Sequence, residues 1–317
     1  MKVIEHINQA KETIFSFEIL PPLKGQNISA IYNSIDPLLE FKPPFVNVTY
    51  HREEVIYKRL PSGLLEQKTI KKRPGTVGIC AAIQNKYGID AVPHILCGGF
   101  SKEDTENALI DLDFLGIENV LALRGDSMRG ETYFVPEEDG HSYARDLVRQ
   151  IDQMNQGKYL DEELQNTNPT NFCIGVAGYP EKHFEAPSLN NDIEKLKEKV
   201  DAGAEYITTQ LCYNNKAYFE YVEKVRAAGI DIPIIPGIKP IATKKHLSLL
   251  PQRFNVDMPD ELVKAVVECK DNKAVRQVGV EWAIKQSKEL KSAGVPVIHF
   301  YSMGKVDNIQ AIATEVF

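Results

Sequence analysis

Two hydrophobic rhythms alternate along the chain. Amphipathic stretches, with apolar residues three and four apart, end on a small or apolar residue followed by glycine. A near-continuous apolar or β-branched run then begins within a few residues. Leu115-Gly116 precedes Asn119-Val120-Leu121-Ala122-Leu123, and Ala202-Gly203 precedes Tyr206-Ile207-Thr208. Ala228-Gly229 precedes Ile232-Pro233-Ile234-Ile235, and Ala293-Gly294 precedes Val297-Ile298-His299-Phe300. Glycine just past a helix accepts the left-handed backbone that ends it. Such repeats mean αβ units in series rather than separate all-α and all-β regions.

Read in order, the apolar runs predict eight strands, at 15–20, 45–50, 91–97, 120–125, 172–179, 206–213, 233–238 and 297–302. Runs without alternation suit parallel strands buried on both faces. Helical spacing lies between them. Residues 27–41 place Ile28, Ile31, Ile35 and Leu38 on one face, and 101–115 open on Ser101-Lys102-Glu103-Asp104, close to a capping box. Ile193, Leu196 and Val200 mark a helix over 192–202, Val275, Val278 and Trp282 another, and 307–316 a last one after the final strand. Eight βα units predict an α/β protein, a (β/α)8 TIM barrel with extra helices and loop insertions; an open doubly wound sheet is the alternative. No linker rich in Gly or Ser interrupts it, so 1–317 is expected to be a single catalytic domain. Three stretches exceed a minimal barrel: 52–76, basic and expected to carry a helix; 153–171, polar and Asn-rich; and 258–269, expected as an extra helix.

Charge and composition narrow the function. Lys and Arg number 37 against 44 Asp and Glu, a formal charge of −7, which argues against a nucleic-acid partner held by bulk positive charge. No apolar run approaches the ~20 residues of a membrane span, and the N-terminus is charged where a secretory signal needs an apolar stretch. A cytoplasmic protein with no membrane partner is expected. The five cysteines are scattered and read as buried thiols, and the seven scattered histidines indicate no metal site.

In such a barrel the reacting groups stand at the C-terminal ends of the strands. Those ends offer Glu18, Thr49, His94, Arg124-Gly125-Asp126, Tyr179, Gln210, Lys239 and Tyr301. The chain has no G-x-G-x-x-G, P-loop, G-x-S-x-G or H-E-x-x-H, which disfavours a Rossmann site, a nucleotide hydrolase and a serine hydrolase. Glu18 stands among Phe15, Phe17, Ile19 and Leu20, where desolvation of the carboxylate raises the pKa and suits a general acid. The alternative is a Glu18 paired with a barrel arginine. Gly125 lets a ligand approach the backbone and Arg124 can grip a phosphate or ring carbonyl, unless Arg124 and Asp126 simply pair. His94 reads either as a ligand contact or as a satisfied core group. Lys239 reads as a Schiff-base nucleophile or as a solvated lysine.

Taken together, several segments resemble the methylenetetrahydrofolate reductase family. They are Phe15-Ser16-Phe17-Glu18 with Pro21-Pro22, Phe45-Val46-Asn47-Val48-Thr49-Tyr50, Pro93-His94, Ala122-Leu123-Arg124-Gly125-Asp126 and Ala177-Gly178-Tyr179-Pro180-Glu181. Lys199-Val200-Asp201-Ala202-Gly203-Ala204, Ile207-Thr208-Thr209-Gln210, Ile234-Ile235-Pro236-Gly237-Ile238 and His299-Phe300-Tyr301 continue the family order to the end of the chain. The resemblance implies an FAD-carrying barrel with ping-pong kinetics. NADH or NADPH reduces FAD and leaves, and 5,10-methylenetetrahydrofolate then takes the hydride to become 5-methyltetrahydrofolate, a methyl source for methionine synthesis.

The resemblance further implies Glu18 as general acid and Asp126 as the carboxylate that stabilises a cationic iminium. It places Tyr50, His94, Arg124, Gly125, Asp126, Tyr143, Ala144, Tyr179, His183, Ala186, Asp192 and Lys199 at FAD. Thr49, Gln210, His246 and Lys305 fall at the nicotinamide and folate substrates, and a homo-oligomer is expected. The segment after Tyr50 is longer than in short bacterial members. The family's stacking Phe falls, by gap-free count, on Leu250, and His246 and Lys305 stand where the family has Gln and Arg. Eukaryotic members add a domain that binds S-adenosylmethionine; this sequence encodes none, so no inhibition by that ligand is expected. A Schiff-base aldolase using Lys239 and a flavin- or pterin-binding protein without turnover are the competing readings.

Overall fold

The computed structural model describes residues 1–317 except 129, 130, 303 and 305. All eight expected barrel strands form. They are β1 (Ile14–Ile19), β2 (Phe45–Val48), β5 (Asp90–Leu96), β6 (Asn119–Leu123), β7 (Cys173–Gly178), β8 (Tyr206–Leu211), β9 (Ile234–Ile238) and β10 (Val297–Tyr301). They close in the order β1-β10-β9-β8-β7-β6-β5-β2, every pair parallel. The glycines after the helices behave as their spacing predicts: Gly116, Gly203, Gly229 and Gly294 all have positive φ. Ser101 caps the helix Lys102–Phe114, accepting from the Asp104 amide at 3.0 Å in a full capping box.

Residues 52–76 do not carry the expected helix. They form an antiparallel hairpin of β3 (Glu54–Arg59) and β4 (Leu65–Ile70), turned through Leu60–Leu64 with Leu60 N–H donating to Leu64 O at 2.8 Å. Val55, Ile56 and Tyr57 favour an extended chain, and Pro61-Ser62-Gly63 supplies the turn, so local propensity outweighs the charge density that suggested a solvated helix. The 27–41 segment also divides. An α-helix, Ser29–Ile35, runs into a 3-10 turn, Asp36–Phe41, with Pro37 at its start. The extra helix expected at 258–269 is present as Asp260–Glu268.

Strand alternation sorts side chains into two cores. Phe15, Phe17 and Ile19 face outward into the layer shared with the helices. Inside the barrel, Phe45, Val92, Leu121, Cys173, Tyr206, Ile235 and Val297 pack with Val3, and the helix Val3–Gln9 plugs this lower end through Ile4 and Ile7. Above that apolar floor lies a buried polar layer. Ser16 Oγ and His299 Nδ1 are 3.0 Å apart, and Asn47 Nδ2 and His94 Nε2 are 3.4 Å apart. Burial pushes both imidazoles down to about 3, so the layer is neutral. Four of the five cysteines are buried thiols, and Cys269 is half-buried. Among the described residues no helix is long and apolar enough to cross a membrane.

The floor leaves no spare volume at β7. A Cβ on Gly175 would stand 2.2 Å from the Tyr206 ring. Gly175→Ala should therefore lower stability by at least ~1–3 kcal/mol, the usual cost of overpacking, as read from urea unfolding midpoints.

Candidate active site

The C-terminal rim of the barrel gathers Glu18, Thr49, Gln210, Lys239 and Tyr301. Glu18, second to last in β1, pairs in register with Tyr301 and with Asn47. It is 6% exposed, and burial raises its carboxyl to about 8, against a downward pull from Lys239. Among the described residues no arginine forms an ion pair with it, so the reading as a barrel Arg–Glu pair gives way to a desolvated, protonated acid. Lys239, directly after β9, is 8% exposed and not the solvated lysine that the sequence suggested. The reason is depth: β9 carries it into the mouth of the barrel, and desolvation lowers its pKa.

Neighbouring rim groups are tied to backbone. Thr49 Oγ1 donates to Ile19 O at 3.1 Å, Gln210 Oε1 accepts from the Leu211 amide at 3.0 Å, and Tyr301 OH donates to Thr209 O at 2.6 Å. His246 opens the helix His246–Phe254, its Nδ1 accepting from the Ala242 amide at 3.3 Å, and burial lowers its pKa. His94 lies inside β5, buried against Asn47 and one residue past the Val48–Pro93 pair, so in register it stands beside Thr49.

A second group forms on the β6–β7 flank. Arg124 pairs with Glu185 at 2.6 Å and stands over the Phe134 ring at 5.2 Å. Lys199 Nζ donates to Ala177 O at 2.6 Å and lies 5.9 Å from the Tyr179 ring; burial lowers its pKa to about 8. Tyr179 meets His183 edge-on at 4.8 Å, the His183 amide donates to Asp192 Oδ2 at 2.9 Å, and the Ala186 amide donates to His183 O. Tyr143, half-exposed, stacks under the Arg145 guanidinium at 4.8 Å, and Ala144 begins the helix Ala144–Asn155. Tyr50 accepts from Lys71 Nζ at 3.0 Å, its ring 5.0 Å from Phe100. Gly125 has φ +86°, so its backbone requires glycine whether or not a ligand approaches.

Asp126 is not paired with Arg124. Its side chain is 81% exposed and faces Arg253 at 4.0 Å, while Glu185 takes Arg124. Leu250 is buried among Leu211, Tyr213 and Ile241 and presents no face for stacking. Lys305 lies outside the described residues. The sequence reading missed Glu185, Arg253 and Arg52, which carry no motif and are recruited by folding. Arg52 packs on Gly98, where a Cβ would stand 2.7 Å from Nη1; among the described residues that buried nitrogen has no partner, while Nη2 meets Glu137 at 3.5 Å. Arg52, Arg124 and Lys199 form a donor set that fits a phosphate-bearing ligand.

A family model described as methylenetetrahydrofolate reductase matches residues 2–316. Methylenetetrahydrofolate reductase 1 of Schizosaccharomyces pombe is 34% identical over 300 residues, spanning 94% of this chain and 45% of that protein. The 5,10-methylenetetrahydrofolate reductase of Escherichia coli is 32% identical over 298 residues, spanning 94% of this chain and 88% of that one. The chain spans about half the length of the eukaryotic relatives it matches. A Clostridium thermocellum protein described as binding two copies of 5-methyl-5,6,7,8-tetrahydrofolic acid shares the fold, with a TM-score of 0.58 at 15% identity over 99% of this chain and 98% of that one.

The buried acid makes a stability prediction. Glu18 has its carboxyl raised from 4.5 to about 8 on folding, so the folded chain holds a proton that the unfolded chain releases. Its contribution to stability is fully present below pH 4.5 and is lost as pH rises through 8. Glu18→Gln cannot ionise. Thermal melts should show the variant gaining on the parent between pH 5 and pH 9, whereas parallel curves would place Glu18 in a solvated site.

Proposed function

Because the chain belongs to the methylenetetrahydrofolate reductase family, we propose that it reduces 5,10-methylenetetrahydrofolate to 5-methyltetrahydrofolate with NADH or NADPH through bound FAD. The observation that carries this reading is a carboxyl group buried on the barrel rim, with no arginine paired to it among the described residues, whose pKa desolvation raises to about 8. Opening the imidazolidine ring of the substrate needs such a proton at the departing nitrogen. Residues 1–317 work as one catalytic domain, since the barrel closes only when β1 meets β10.

FAD, when bound, supplies the hydride chemistry that links the nicotinamide to the folate in two half-reactions. Arg52, Arg124 and Lys199 would hold its phosphates, with Tyr179, His183, Asp192 and Ala186 shaping the flank beside them and Tyr50, Tyr143 and Ala144 contributing further contacts. Glu18 delivers the proton. Asp126, exposed and only loosely held by Arg253, steadies the iminium cation that ring opening creates. Thr49, Gln210 and His246 line the substrate side of the rim. His94, buried and neutral beside Thr49, contributes a further FAD contact from β5.

Denaturing the purified protein should release FAD; FMN, or no flavin after reconstitution, would contradict the reading. Lys199→Met and Arg124→Ala should each lower flavin retained per chain, measured by absorbance after gel filtration.

Glu18→Gln keeps shape but supplies no useful acid. Stopped-flow absorbance at the flavin band should show the folate half-reaction slowed by at least ~100-fold and flavin reduction by NAD(P)H largely intact. In the parent protein the folate half-reaction should hold up to neutrality and fall as pH passes about 8, where the acid ionises. Equal losses in both half-reactions would make Glu18 structural.

A further inference from the structure

Lys239 is a buried cation without a resting partner. It is 8% exposed, and among the described residues its ammonium forms no ion pair within 4.0 Å and no hydrogen bond. Burying a charge in that way is costly unless an opposite charge faces it. Strand order decides which charge that is. Phe300 pairs with Ile238 and Glu18 with Tyr301, so Lys239, Tyr301 and Glu18 stand at one level of the rim on β9, β10 and β1.

Tyr301 does not block the space between them. Its ring lies across Gly237, where a Cβ would be 2.4 Å away, and its hydroxyl is committed to Thr209 O. From β2 the side chains facing Glu18 are Asn47 and Thr49, both uncharged. His246 feels the charge of Lys239, and burial and the lysine itself disfavour it as a cation. Among the described residues, Glu18 and Lys239 are thus the two opposite charges left to meet.

We propose that Lys239 is a positioning residue for Glu18, its ammonium facing the carboxylate that remains once Glu18 has given its proton to the substrate. This rests on the reading of Glu18 as the acid for a folate ring nitrogen. The Glu18 O–H bond breaks, an N–H bond forms on the departing nitrogen, and the O–H electron pair stays on Glu18. Lys239 keeps its own protons, and Glu18 regains one from water before the next turnover. The lysine sets the strength of the acid by stabilising its conjugate base.

The test is the ionisation of Glu18 read directly. pH-difference infrared spectra report its protonated carbonyl, assigned by the band's loss in Glu18→Gln. In Lys239→Met the band should persist to higher pH, by about one pH unit or more, and Lys239→Arg should titrate close to the parent. In single-turnover folate reduction the Lys239→Met plateau should fall about 3- to 10-fold, with its alkaline limb moved upward by the same shift as the band. A Glu18 band that titrates identically in parent and Lys239→Met overturns the proposal; should the methionine variant fail to fold, Lys239→Gln gives the same comparison. A shifted band in a protein that reduces no folate would uphold the pairing while removing the assigned reaction, so the two readings fail separately.

Discussion

The seam between β1 and β10 joins the two ends of the chain, and the chemistry of the rim depends on its register. Five consecutive pairs run from Ile14 opposite Val297 to Glu18 opposite Tyr301. Side chains lock it: Thr13 Oγ1 donates to Val295 O at 2.8 Å, Ser16 meets His299 at 3.0 Å, and Ser302 Oγ donates to Glu18 O at 2.7 Å. A slip of one residue would send Glu18 into the helical layer and Phe17 into the barrel mouth. Closure therefore creates the desolvated acid, and no local segment does so alone.

The interior is graded from the seam upward. An apolar floor, sealed by the N-terminal helix, supports a neutral polar layer in which Ser16 and Asn47 hold the two histidines. Above it the rim carries ionisable groups that burial has brought toward neutrality from opposite directions. Glu18 is raised, and Lys239 is lowered. A low-dielectric setting makes each of them sensitive to the other, and among the described residues no arginine forms an ion pair with Glu18. The flank above β6 and β7 is a different environment, where Arg124 and Lys199 lie beside aromatic rings and Arg52 and Arg124 are paired with Glu137 and Glu185. The desolvated carboxyl and the basic side chains thus stand on separate arcs of one mouth.

Most of the scaffold was legible in the sequence because its signals are local. Continuous apolar runs marked all eight barrel strands, glycines marked the helix ends, and Ser101 with Asp104 marked a cap. The aromatic sequence neighbours of Glu18 pointed to a desolvated carboxyl, but Phe15, Phe17 and Ile19 face the helical layer, and it is the barrel mouth that buries the acid. The same local reasoning mistook 52–76 for a helical segment, since a count of basic residues carries no period, whereas Val55-Ile56-Tyr57 and the Pro61-Ser62-Gly63 turn do specify a hairpin.

What only the tertiary structure decided is who faces whom. Arg124 could have paired with Asp126 two residues away; folding gave it Glu185, 61 residues distant, and left Asp126 to Arg253. Leu250 sank into a core because helix packing sets depth, which a count along the sequence does not encode. Lys239 read as solvated because charge usually implies exposure. Its burial opposite Glu18 follows from strand order around a closed barrel, a relation between residues more than two hundred positions apart. Propensity and periodicity act over a few residues and so determine the elements; desolvation and charge pairing act across space and wait for the barrel to close.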